Sequence, residues 1–100
     1  MTYPVICDAI RLRHVVRFLY HGGERAVEPY VYGRDADGRE LLRAYQLRGA
    51  SRSGETAGWK TFHIEDMTSV AVTFEAFPRR DGYDPSDKII VFTNCRVEVK

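Results

Sequence analysis

Turn-forming clusters interrupt this chain at His21-Gly-Gly-Glu24, at Asp35-Ala-Asp-Gly38, from Arg48 to Gly58 and from Pro78 to Asp87. Between them the sequence alternates apolar and polar residues with a period of two, rich in β-branched and aromatic side chains. A chain cut this often has no room for long helices and builds its core from short strands joined by tight turns. Only Pro4 to Arg13 departs from the pattern. There Val5, Ile6, Ala9, Ile10 and Arg13 fall at helical spacing, and Pro4 suits a first turn.

The strand segments are read as His14–His21, Arg25–Gly33, Glu40–Leu47, Trp59–Ile64 and Ser69–Phe74. Val16, Phe18 and Tyr20 share one face of the first, and Val70, Val72 and Phe74 one face of the last. Gly22 and Gly23 are expected to supply positive φ in a hairpin turn. Pro29 removes a backbone donor, which points to an edge or a bulge. The expected fold is mostly β with one N-terminal helix, a small, strongly bent antiparallel sheet or open barrel forming a single domain over residues 1–100. Its core is expected to hold Ile10, Val16, Phe18, Val27, Leu42, Phe62, Ile64, Val70 and Val72. Residues 77–100 form a C-terminal extension whose strand-like pieces, 89–92 and 96–100, either return to the sheet or serve an oligomer edge.

Composition closes off several classes. With 44% hydrophobic residues and 29% charged ones, the 100 residues suit one folded domain rather than a disordered chain. No apolar run approaches the ~20 residues that span a bilayer, and Met1-Thr-Tyr-Pro4 lacks a secretory pattern, so a cytoplasmic protein with no membrane partner is expected. Cys7 and Cys95 lie at opposite ends without CxxC spacing, and in that compartment both are expected as free, packed thiols. Formal charge is only +1, but residues 1–52 hold nine basic against six acidic residues, and residues 53–100 six against eight. Arginine dominates the cations, and its planar fork suits phosphate or carboxylate.

Catalytic templates are missing. His14, His21 and His63 match no zinc spacing, and Asp81, Asp84 and Asp87 lack the glycine and glutamate of a calcium loop, so turn and cap roles are expected and no metal or cofactor. Ser51 and Ser53 have no identifiable base, and no Ser/His/Asp or Cys/His signature occurs; the chain reads as no enzyme. Gly49, Gly54 and Gly58 fit neither a P-loop nor a dinucleotide fingerprint. What remains is the set Arg25, Arg43, Lys60 and His63 on successive strands beside Tyr45 and Trp59. Such cations and rings can hold a phosphate and stack a base, or can simply form a solvated strand face over the core.

An ordered set of short pieces then carries a family resemblance: Ala9-Ile10, Phe18-x-Tyr20, Arg25-Ala-Val-Glu-Pro29, Leu42-x-Ala44 after Gly38, and Lys60-Thr-Phe-His-Ile-Glu-Asp-Met67. Over about residues 6 to 72 the chain resembles a WYL domain, the small ligand-binding module of bacterial transcription regulators. The resemblance implies an Sm-like, SH3-like barrel with a basic pocket for a nucleotide, single-stranded nucleic acid or another anion. It assigns Arg25, Lys60 and His63 to that pocket. Two departures stand out: Glu40-Leu41-Leu42 replaces the tripeptide that names the family, and Asp66 stands where an arginine is usual. One helix leaves no helix-turn-helix, so the chain is similar to small stand-alone members.

The expected function is therefore a stand-alone ligand-sensing regulatory module, with Arg25, Lys60 and His63 on the anion and Trp59 or Tyr45 as stacking surfaces. The cations are expected to be exposed, so that Arg25→Ala and Lys60→Ala weaken binding with little change in stability. The alternative is a protein-interaction or homo-oligomerisation module without a small ligand, using a regulatory protein or a second copy as partner.

Overall fold

The computed structural model describes residues 3–51, 54, 56–83 and 89–97. Helix α1 runs Tyr3–Leu12, one residue ahead of the expected span. Ile6, Ala9 and Ile10 are fully buried from its inner stripe, whereas Val5 and Leu12 stay exposed. Arg13 ends it with a left-handed φ of 58° and turns the chain into the sheet.

Among the described residues six strands follow: β1 His14–Tyr20, β2 Gly23–Arg34, β3 Glu40–Gly49, β4 Gly58–His63, β5 Met67–Ala76 and β6 Phe92–Arg96. All pair antiparallel, in the order β4-β3-β2-β1-β5, with β6 added to β2. The fold is thus mostly β with one N-terminal helix, as the turn spacing predicts. The hairpin turn is shifted by one residue from the expected pair: His21 (φ 51°) and Gly22 (φ 82°) take the positive angles, and Gly23 already pairs with Tyr20. Gly23 is required for another reason, since a Cβ there would meet the Ala50 Cβ at 2.2 Å.

A three-residue 3₁₀ turn, Ile64–Asp66, joins β4 to β5 although these are the two outer strands of the five. Laid flat at about 4.8 Å spacing, their edges would stand about 19 Å apart, but three 3₁₀ residues rise only about 6 Å. The sheet must therefore curl until its edges nearly meet. Rings fill the interior so formed: Phe18 of β1 meets Phe62 of β4 edge-on at 5.1 Å, and Tyr20 meets Phe62 at 5.0 Å. The Tyr20 hydroxyl accepts the His63 N–H at 2.9 Å across the same gap.

Of the expected core, Ile10, Val16, Phe18, Val27, Leu42, Phe62 and Ile64 are buried, while Val70 and Val72 pack against the core in part. Phe74 does not join them. A register shift between the β1–β5 pairs His14↔Ala76 and Val16↔Val72 leaves it 96% exposed.

Strand β2 is central, not an edge. Its first half pairs β1 up to Val27 and its second half pairs β6 from Val31, with Pro29 between the two ladders and a register shift against β3 between Pro29 and Val31, the irregularity the proline points to. The C-terminal chain thus returns to the sheet, in β6 rather than in the two pieces expected; residues 98–100 of the second piece lie outside the described residues, as do Ser53, Asp84 and Asp87.

This return overturns the expectation of free thiols. Strand β6 lies against α1, and Cys7 and Cys95 are joined in a disulfide with Cα atoms 5.7 Å apart. Spacing along the chain carried no trace of it, because the contact depends on where β6 docks.

Candidate functional site

Strand alternation sorts the six candidate residues onto two faces. On β4, Lys60 shares the parity of buried Phe62, while Trp59, Thr61 and His63 point the other way. Curling of the sheet brings Lys60 toward Arg25 of β2, and both line one cavity of about 330 Å³ with Tyr20, His21, Ser51, Thr61 and Phe62. Among the described residues no carboxylate lines it. His63 is not part of it; its backbone serves Tyr20 instead. His21 supplies the imidazole, placed at the mouth by the left-handed turn and 3.8 Å from the Asp66 carboxylate. Asp66 thus pairs with the imidazole of the cavity rather than lining the cavity itself.

Arg25 is 4% exposed, against the expectation of a solvated cation. Its guanidinium lies 5.2 Å from the Tyr20 ring centre and 5.9 Å from that of Phe62, and it donates to the Tyr20 carbonyl and to Gln46 Oε1 at 3.4 Å each. Burial between rings keeps a weakly hydrated guanidinium at low cost, which an ammonium would not allow. Arg25 is therefore a fixed positive floor, and Lys60, partly exposed and 3.3 Å from the Ser51 hydroxyl, is the adjustable cation above it.

Gln46 escaped the sequence reading, although a polar residue in the apolar phase of Leu42 and Ala44 marks it. It is fully buried, accepts from Arg25, and donates to the carbonyls of Ala50 and Thr56 at 2.9 and 3.0 Å. One amide thus orients the floor cation and fixes the loop that carries Ser51. Gly49 completes the loop start, where a Cβ would stand 2.3 Å from the Glu24 carbonyl oxygen. A neighbouring groove of about 520 Å³ shares Arg25, but its other arginines, Arg17 and Arg48, are answered by Glu24 and Glu75.

Arg43, Tyr45 and Trp59 lie toward the opposite face and do not line Lys60's cavity, although Arg43 bonds Thr61 at its border. Arg43 donates to Thr61 Oγ1 at 3.0 Å and lies 5.7 Å from the Trp59 ring centre. Segment 77–83 covers this face: Tyr83 stacks on Trp59 and meets Tyr30 at a tilt with ring centres 4.8 Å apart, and the Arg80 guanidinium sits 3.9 Å from the Tyr45 ring centre. Rings expected to stack a base are thus engaged by the chain's own residues. Beneath them Tyr30 donates to Glu28 Oε1 and accepts the Arg80 N–H. Burial pushes the Tyr30 hydroxyl far above its ordinary pKa, against the opposing pull of that N–H; the Glu28 hydrogen bond likewise raises Arg80.

No helix among the described residues is long and apolar enough to cross a membrane. No family model, curated protein or solved structure matches the chain.

Proposed function

We propose that the protein is a stand-alone ligand-sensing module of the WYL-like kind, binding an anionic group, such as the phosphate of a nucleotide or a single strand, in the cavity of Arg25 and Lys60. One observation carries the reading: a concave site of about 330 Å³ lined by Arg25, Lys60 and His21 and, among the described residues, by no carboxylate. Tyr20 and Phe62 give it an apolar wall, and Gln46 and Ser51 give it fixed geometry. The sequence resemblance supports the same site for Arg25 and Lys60, with His21 in the place expected of His63. No catalytic role is proposed.

Fluorescence anisotropy with a labelled oligothymidylate and a labelled nucleoside triphosphate tests it. Binding should weaken as salt rises, and Lys60→Ala should flatten the salt slope by about one unit. Binding equal in parent and Lys60→Ala at low salt would remove the assignment.

A second reading, self-association, rests on Phe74, 96% exposed on the outer strand β5. That strand carries one charge, Glu75, already engaged by Arg48, so little opposes pairing with a second copy. Light scattering of parent and Phe74→Ser separates it from the first. Cytoplasmic placement belongs to the proposal only with a means of reducing the Cys7–Cys95 bond, since that compartment keeps thiols reduced.

A further inference from the structure

The Cys7–Cys95 disulfide is not sealed in the core. Both residues are partly exposed and form the floor of a groove of about 340 Å³, apart from the cavity of Lys60. Asp8, Arg11, Arg13 and Arg96 stand around it, with Ile10 and Val97 as apolar wall. Asp8 is paired with Arg11 at 2.9 Å. The guanidiniums of Arg13 and Arg96 have no side-chain partner among the described residues. A disulfide therefore lies open in a pocket beside two arginines that no carboxylate among the described residues pairs.

The geometry points to a docking site for a small thiol that carries carboxylates, with the disulfide as its reaction partner. Exchange requires a thiolate to reach a disulfide sulfur, so a cationic groove favours the attacking form. A carboxylate on the same molecule gives the arginine forks a second anchor. The thiolate attacks one cysteine sulfur, a mixed disulfide forms, and the other cysteine leaves as thiolate. A second equivalent of the thiol attacks the mixed disulfide, releasing the small-molecule disulfide and leaving two protein thiols once protonated. Two electrons pass from two small thiols to the protein disulfide. Helix α1 then loses its covalent tie to β6, while β6 keeps its ladder on β2 and the Val97 N–H its bond to the Tyr30 carbonyl at 2.8 Å.

The test compares reduction of the intact protein by mercaptoacetate and by cysteamine, following thiols by alkylation and mass. Each rate is corrected for thiolate fraction and divided by the same thiol's rate with the neutral hydroxyethyl disulfide. At about 10 mM salt mercaptoacetate should lead by about 3- to 10-fold, and the lead should vanish near 1 M, where screening acts within about 3 Å. Arg96→Ala should shrink the lead and Asp8→Ala, by releasing Arg11, should enlarge it. Equal corrected rates at low salt, or a lead unmoved by both substitutions, would overturn the assignment. So would Cys7 and Cys95 recovered as stable thiols after incubation with an oxidised small disulfide.

Discussion

Arg80 grips the buried Glu28 carboxylate at two points, Nε to Oε1 at 3.0 Å and Nη2 to Oε2 at 2.9 Å, across a sequence separation of 52. That pair, with Tyr30 beneath it, pins segment 77–83 onto the outer face of the sheet. Glu28 is nearly inaccessible while Arg80 is about a third exposed, so removing the arginine strands a buried carboxylate. Arg80→Ala should cost about 2–4 kcal/mol in urea unfolding, and Glu28→Gln in that background should recover part of it. Additive losses would mean the two residues do not act as a unit.

Tyr30 links this region to alkaline pH. Its folded pKa is raised above the ordinary 10.0, so its contribution to stability is complete below pH 10 and is lost as pH rises beyond that value. Unfolding there releases a proton, and stability should fall by up to about 1.4 kcal/mol per pH unit from this group alone. Chemical denaturation between pH 9 and 11 should show a slope that Tyr30→Phe reduces.

Arg25 and Lys60 should separate stability from binding. Lys60→Ala should leave the thermal midpoint nearly unchanged and weaken anion binding about 5- to 10-fold. Arg25→Ala empties a buried site between Tyr20 and Phe62, and a loss of about 1.5–3 kcal/mol is expected beside the loss of binding. Equal effects of the two substitutions on stability would contradict the distinction between a buried floor cation and a partly exposed one.

The disulfide closes a loop over a sequence separation of 88. Chain-entropy reasoning assigns such a closure about 4–5 kcal/mol, of which engineered and natural cases commonly show 2–4. Cys95→Ser should lower the urea midpoint accordingly, and the parent in reductant should match it.

Strand positions were legible because Val16, Phe18, Leu42 and Phe62 obey the period of two, and the helix because Ile6, Ala9 and Ile10 obey 3.6. Lys60 and Arg25 were legible as a pair only through the resemblance. His63 stands outside the lining of the Lys60 cavity, with its backbone on Tyr20, and His21 was passed over because a turn residue reads as solvated. Arg25's burial was hidden because alternation says which face a residue takes and not what covers it. The Cys7–Cys95 bond and the Arg80–Glu28 pair were invisible for one reason: both depend on how residues 77–97 wrap back, and the polar run after Phe77 shows no periodicity.

The short 3₁₀ turn between the outer strands also sets the order of assembly. Hairpins β1–β2, β2–β3 and β3–β4 join neighbours in sequence, but the β1–β5 ladder, marked by the Thr73 hydroxyl on the Val15 carbonyl at a separation of 58, needs almost the whole barrel to be in place. Contacts of that range slow the search, toward the millisecond-to-second refolding of small β barrels. Until they form, the faces of β1 that carry Val16 and Phe18 stand uncovered. The newly made chain is therefore most exposed to misassociation in the interval between its last hairpin and the docking of β5.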